Sequence, residues 1–201
     1  MSITLRRTRN SDHRATEELI RDSFWDLYRP GCVEHLVTHQ LRAGTDVLVD
    51  LVAEQDGRLV GCLLATRARI LHSDGTASSM CSLGPIAVAT DHQHRGIGTL
   101  MITEALNQFR AAGIQAAFLY GDPGYYSRFG FADAATWQVT TPDGGNFDAF
   151  MGLELVEGGL DGLSGRLLDS ADFEVQPDQV ATFEATFPAR EKHRLPGQLF
   201  E

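Results

Sequence analysis

Leu83-Gly84-Pro85-Ile86-Ala87-Val88-Ala89, then Thr90-Asp91-His92, then Gln93-His94-Arg95-Gly96-Ile97-Gly98-Thr99 is the stretch that decides the fold. The first run is apolar and branched, which suits a buried strand, and the polar triplet breaks it. The glycine-spaced loop then opens directly into a helix. Ile102, Ala105, Leu106 and Phe109 recur at i, i+3, i+4 and i+7, so one helix face is apolar and needs something to pack on. Ala111-Ala112-Gly113 ends the helix, with the glycine as a left-handed cap. The start of a helix leaves backbone N–H groups without partners and carries partial positive charge, so an anion is its natural occupant. Glycines at 96 and 98 remove the side chains that would keep a phosphate off that backbone, and His94 and Arg95 add donors. The loop is a candidate diphosphate cradle. On its own it also reads as a plain strand-to-helix turn.

A second segment changes the balance. Ala116-Ala117-Phe118-Leu119-Tyr120 is strand-like, and Gly121-Asp122-Pro123-Gly124-Tyr125-Tyr126-Ser127-Arg128-Phe129-Gly130-Phe131 follows it. Pro and Gly punctuate the end of that strand, a short helical turn carries the two tyrosines, and Gly130 lets the chain reverse. Together the two segments resemble the GNAT superfamily of acetyl-CoA-dependent N-acetyltransferases, whose signature is a Q/R-x-x-G-x-G/A loop followed by an aromatic-Tyr-x-x-x-Gly-Phe segment. The similarity runs in element order over roughly residues 3–156 and is sharpest from Leu83 to Phe131. It implies an α/β fold with a mixed, mostly antiparallel central sheet of about six to seven strands flanked by about four helices, splayed between the fourth and fifth strands. On this reading residues 1–156 form the acetyltransferase domain, and residues 157–201 form an extension packed on it or on a second copy, which makes a homodimer one expected assembly.

The resemblance also assigns roles. Gln93, His94, Arg95, Gly96, Ile97, Gly98 and Thr99 would hold the diphosphate of acetyl-CoA. The pantetheine arm would lie along the preceding strand at Ile86 and Val88, with the Ile86 N–H polarising the thioester oxygen. Pro85 has no N–H for a ladder, so the strand is expected to bulge or splay there. Tyr126 aligns with the tyrosine that protonates the departing thiolate. A phenol, with an ordinary pKa of about 10, stays protonated at neutral pH and can donate to sulfur. Tyr125 is the packing partner, although capping of the sheet by both rings stays open. Many relatives carry a Glu four residues before the oxygen-polarising position; here that residue is Ser82, so the strand supplies no carboxylate base. Asp122 or a water chain are the alternatives, Asp122 being equally suited to forming the turn before Pro123. Phe24, Trp25, Tyr28 and Asn146 flank the acceptor pocket by the same analogy. No metal is implied.

Working outward, Ile3–Arg9 suits a first strand, and Ala15, Leu19, Ile20 and Phe24 give an apolar stripe along a first helix capped near Asn10-Ser11-Asp12. A second helix over Val33–Leu41 places His35 and His39 one turn apart on what reads as a partly exposed face. Val47–Glu54 and Leu59–Leu71 read as strands joined by an Asp56-Gly57 hairpin turn. His72–Ser79 reads as a loop, Thr136–Thr140 and Phe147–Val156 as strands, Leu163–Leu168 as a short strand and Gln179–Phe187 as a helix.

Composition bounds the rest. The 201 residues, 43% hydrophobic and 22% charged, suit one globular domain with a small appendage. A net charge of −10 disfavours nucleic acid and permits a cationic substrate. With no signal-like N-terminus and no long apolar run, a cytoplasmic location without membrane attachment is expected. Cys32, Cys62 and Cys81 lack C-x-x-C spacing and are read as reduced. The leading functional expectation is transfer of an acetyl group from acetyl-CoA to a primary amine of a small molecule, peptide or protein. The alternatives are a non-catalytic acyl-CoA-binding regulatory domain, or a toxin acting on charged tRNA, which would need a localised basic face.

Overall fold

The computed structural model describes residues 2–199. The described residues hold nine strands and five α-helices, and the strand pairing is mostly antiparallel. The chain divides into two compact units, and strands β3 (Arg58–Leu71) and β4 (Ala77–Val88) run through both.

The first unit comprises residues up to Leu64, Pro85–Met101 and the chain from Ala171 on. Strand β1 (Thr4–Arg7) pairs antiparallel with β2 (Val47–Gln55), from Thr4↔Glu54 to Arg7↔Leu51. The Asp56-Gly57 turn that follows has positive φ at both residues, 51° and 79°, as a tight hairpin into β3 requires. Leu19 and Ile20 of helix α1 (His13–Phe24) pack with Val52, Cys62 and Ala87, while Val37 and Leu41 of helix α2 (Glu34–Ala43) pack with Leu64. The apolar-stripe reading of α1 needs correction at Ala15, which is exposed, whereas Glu17 and Arg21 are buried. Both charges are paired, Glu17 with His39 at 2.9 Å and Arg21 with Glu184 at 2.5 Å, so the helix carries ion pairs into its packed face.

The segment from Ala171 on supplies much of that partnership. Helix α5 (Pro177–Glu184) brings Phe183 and, just beyond it, Phe187 against the His35 ring, with centroids 5.3 and 5.1 Å away. His35 is therefore fully buried rather than on a partly exposed face, while His39 stays half exposed. Arg14 and Arg21 also lie over the Phe187 ring.

The second unit comprises Ala65–Gly84 and Ile102–Ser170. It holds most of helix α3 (Ile97–Ala111), β5 (Ala116–Tyr120), helix α4 (Pro123–Tyr126), β6 (Ala132–Asp133), β7 (Val139–Thr140), β8 (Phe150–Glu154) and β9 (Gly165–Leu168). The far half of β3 pairs with β9 and the near half of β4 pairs with β5; β5 continues to β8 and then β6, while β7 joins β9. Phe118, Phe150, Ile70, Met80, Val139, Leu160 and Leu167 form its core, with Trp137 against them. The predicted helix face is buried at Ile102, Ala105, Leu106 and Phe109, and Gly113 ends the helix at φ +72°.

Two predicted elements differ. β4 begins at Ala77, inside the stretch read as a loop, because Asp74 and Gly75 make the turn and the polar Ser78 and Ser79 still form a strand. Thr136–Thr140 is mostly a 3-10 turn over Ala134–Trp137: Asp133 caps it at the Ala135 N–H and Gln138 turns left-handed at φ 55°, which leaves two residues of strand.

Candidate active site

The glycine loop lies in the first unit. A 3-10 turn over Thr90–His92 precedes it, fixed by Asp91, whose carboxylate accepts from His92 at 2.7 Å and from Arg58 at 2.7 Å. Those two bonds, His92 first, hold the Asp91 carboxyl down to about 2. Gln93 is extended, His94 is left-handed at φ 60°, and Gly96 is left-handed at φ 79° just before helix α3. Such alternation turns successive amides to one side, the arrangement of an anion nest. The first helical bond runs from the Leu100 N–H to the Gly96 carbonyl at 3.0 Å. Among the described residues, no backbone carbonyl accepts from the amides of Ile97, Gly98 or Thr99, the groups a helix start leaves unpaired. Residues 93–96 and Thr99 are exposed, and only Ile97 turns into the core. His94 and Arg95 stand in solvent beside those amides.

The end of β4 adds the next part. Pro85 and Ala87 face the core, and Ile86 and Val88 lie half-buried on the opposite face. The Ala89 N–H donates to Val60 of β3 at 3.0 Å. Amides alternate along a strand, so those of Ile86 and Val88 point to the other edge of β4. The Val88 carbonyl on that edge accepts from the Gln93 side chain at 3.2 Å and from Ser23 at 3.1 Å, which ties the loop to its strand.

Of the residues aligned with an acceptor pocket, Phe24 and Tyr28 touch with ring centroids 6.1 Å apart. Trp25 turns instead to the C-terminal segment: its indole N–H donates to the Glu191 carbonyl at 3.0 Å, and Arg21 and Arg190 lie over its ring at 4.4 and 4.8 Å.

In the second unit the ladder between β4 and β5 is parallel and consists of two pairs, Cys81↔Ala117 and Ser82↔Phe118. Gly84 follows with φ +145°, a backbone that side chains disfavour, directly before Pro85. Among the described residues the β4–β5 pairing ends at Ser82. Beyond β5, Asp122 caps helix α4 by accepting from the Gly124 N–H at 2.8 Å, so this carboxylate is engaged in the turn. Tyr126 is half-buried; its ring meets Tyr125 edge-on at 5.0 Å and Phe131 at 6.0 Å. It also packs against the end of β5, since a Cβ on Gly121 would fall 2.3 Å from the Tyr126 ring. Tyr125 carries Arg128 over its face at 4.6 Å. Asn146 is exposed and accepts from the Phe147 N–H at 2.7 Å.

Sequence reasoning missed Asp169. It follows β9, lies in no motif, and accepts hydrogen bonds from Ser82 and, at 3.3 Å, from the Tyr120 hydroxyl. Burial pushes its carboxyl above the usual range, against the pull of those two bonds.

Known proteins share this fold. A model of the acetyltransferase (GNAT) domain matches residues 4–134. The uncharacterized N-acetyltransferase YhbS of Escherichia coli K12 is 27% identical over 155 residues, covering 77% of this chain and 88% of its own. The crystal structure of Escherichia coli YhbS in complex with CoA has a TM-score of 0.77 at 26% identity, covering 85% of this chain and 91% of that one. A GNAT family acetyltransferase from Brucella melitensis in complex with acetyl-CoA has a TM-score of 0.71 at 28% identity, covering 86% and 99%.

Proposed function

The chain belongs to the GNAT acetyltransferase family, and from that premise we propose that it moves the acetyl group of acetyl-CoA directly to a primary amine of a small molecule, peptide or protein. The observation that carries the reading is the set of free amides at Ile97, Gly98 and Thr99 behind the left-handed His94 and Gly96. In the proposal, residues 93–99 hold the diphosphate, with the Arg95 guanidinium adding charge. Ile86 and Val88 pair with the pantetheine arm like an added strand, and the outward Ile86 amide polarises the thioester carbonyl.

The chemistry then needs a neutral amine and a proton for sulfur. The amine nitrogen attacks the thioester carbon, the C–S bond breaks as the tetrahedral species collapses, and Tyr126 gives the thiolate its proton. The proton lost by the acceptor nitrogen restores the one given up by Tyr126, so from the neutral amine the products are an amide and free CoA thiol. Binding of CoA in the Escherichia coli neighbour and of acetyl-CoA in the Brucella melitensis neighbour supports the choice of donor. The proposal includes a cytoplasmic setting, in which Cys32, Cys62 and Cys81, all buried and unpaired, stay reduced.

Two measurements test it. Calorimetric titration with acetyl-CoA should show saturable binding, and a panel of primary amines should then release free thiol. Absence of acetyl-CoA binding removes the loop assignment. Binding without turnover by any amine leaves a cofactor-binding module and removes the enzyme.

A further inference from the structure

Several buried or half-buried carboxylates among the described residues face a guanidinium or an imidazole. Asp12 pairs with Arg6 at 2.6 Å, Asp50 with Arg42 at 2.8 Å, Glu184 with Arg21 at 2.5 Å and Asp26 with His193 at 2.9 Å. The Arg6 bond holds the Asp12 carboxyl down to about 2. A carboxyl held down in that way makes a poor base.

Asp169 differs. Its two oxygens accept from neutral hydroxyls, Ser82 on one side and Tyr120 on the other. Among the described residues, no lysine, arginine or histidine forms an ion pair with it. The phenol of Tyr120 is itself held above its usual range, by burial first and then by the Asp169 and Asp143 charges, so it remains a donor. The place also matters. Ser82 is the last ladder position before β4 and β5 part, Tyr120 is the last residue of β5, and Asp169 immediately follows the β9 residue paired with Arg69. The carboxylate therefore stands where the β4–β5 pairing ends.

Two aromatic faces adjoin it. The Tyr120 ring stacks on Phe147 at 5.9 Å and 18° and on Phe150 at 5.1 Å and 19°. Phe150 is buried in the core, but Tyr120 is 46% exposed and Phe147 51% exposed. A half-exposed aromatic pair beside an unneutralised carboxylate suits an ammonium group on an apolar or aromatic arm.

We propose that Asp169, positioned by Ser82 and Tyr120, is the carboxylate that takes the proton from the acceptor's ammonium group, and that Tyr120 and Phe147 hold an aromatic arm of that acceptor. The inference rests on the transferase reading above. In the step, one N–H bond of R–NH3+ breaks, its electron pair stays on nitrogen, and the proton joins Asp169 to give a neutral carboxylic acid. The freed lone pair attacks the thioester, and Asp169 later returns its proton to water. A carboxylate lifted by burial is a better base than one salted to arginine. Ser82 thus fills the strand position with a hydroxyl that borrows its carboxylate from the chain after β9.

The test uses the full chain, with 2-phenylethylamine and propylamine as acceptors and thiol release followed between about pH 5 and 9. Asp169→Asn should lower kcat/KM by about 10²-fold or more and abolish the acid limb of the profile, with acetyl-CoA affinity unchanged within about two-fold. Ser82→Ala removes a bond that favours the carboxylate, so the acid limb should move up by about one pH unit. Asp169→Glu should restore part of the rate lost in Asp169→Asn. 2-Phenylethylamine should exceed propylamine in kcat/KM by roughly three- to ten-fold, and Phe147→Ala should erase the gap. An Asp169→Asn enzyme within about three-fold of the parent, or an acid limb that Ser82→Ala leaves in place, overturns the proton assignment. Equal use of the two amines overturns the aromatic one. A parent protein that binds acetyl-CoA but turns over neither these amines nor the wider panel overturns the transferase reading, and the inference falls with it.

Discussion

Replacement of Gly121 by alanine should slow the enzyme without replacing any residue assigned to chemistry. Gly121 directly follows β5 and donates its N–H to the Ala149 carbonyl at 2.8 Å, so its backbone is fixed. A Cβ there would fall 2.3 Å and 2.7 Å from two carbons of the Tyr126 ring, where contacts below 3.0 Å are essentially never tolerated. The ring has to withdraw by roughly 1 Å to reach ordinary contact, and a displacement of that size at a reacting group costs about 10²-fold in rate. Tyr126→Phe, which removes the proton donor outright, should cost a similar factor in kcat. The double variant should lose no more than either single one, because both act on the same step. Thiol release under saturating acetyl-CoA measures kcat, and calorimetric titration should give an acetyl-CoA affinity close to that of the parent. If Gly121→Ala keeps kcat within about three-fold while Tyr126→Phe does not, ring placement is not what Gly121 secures. If both keep it, Tyr126 is not the proton donor.

Three further outcomes follow from the first unit. Gly96→Ala meets no atom within 4 Å but must hold φ near +79°, a conformation that costs an alanine about 1 kcal/mol or more, so acetyl-CoA affinity should fall by roughly tenfold by calorimetry; an unchanged value separates the loop from the diphosphate. Burial, opposed by the Glu184 charge, lowers His35 to about 4 from an ordinary value of 6.5, so between those pH values the unfolded chain binds a proton that the folded one refuses. Stability should therefore be complete above about pH 6.5 and fall by about 3 kcal/mol as pH drops to 4, and thermal melts of a His35→Phe variant should lack that part of the decline. Arg21→Met leaves the half-buried Glu184 without its guanidinium, facing the His35 ring at 3.1 Å, and should lower the unfolding free energy in urea by about 3 kcal/mol, with Arg21→Met/Glu184→Leu regaining most of it; additive losses would argue against the pairing.

What the sequence made legible was local or periodic. The i, i+3, i+4 pattern of Ile102, Ala105, Leu106 and Phe109 fixed the buried face of α3, and Asp56-Gly57 fixed a hairpin, because each is dictated by neighbours along the chain. The end of the β4–β5 pairing after Ser82 lies beside Gly84 and Pro85, both legible as residues that disturb a strand. Features that depend on distant partners were illegible. His35 reads as one turn of an ordinary helix until Phe183 and Phe187, almost 150 residues on, cover it. Glu17 and Arg21 break the apolar pattern of α1 because their partners lie in α2 and α5. Asp169 is the sharpest case: the empty carboxylate position at Ser82 was visible, but its occupant is 87 residues away and carries no motif. A search for unmatched acids near the ends of strands could have raised it, though only pairing in space distinguishes it from any other acid in the tail.

The short ladder of β9 has a practical consequence. Leu168, Leu167 and Arg166 occupy the hydrogen-bonding side of Arg69, Ile70 and Leu71. A chain trimmed where the family motifs run out, near residue 156, would keep every signature residue yet leave those main-chain donors and acceptors bare on a branched apolar strand. Such a fragment should recruit a neighbour's strand and precipitate during purification, and it would look inactive for reasons unrelated to its chemistry.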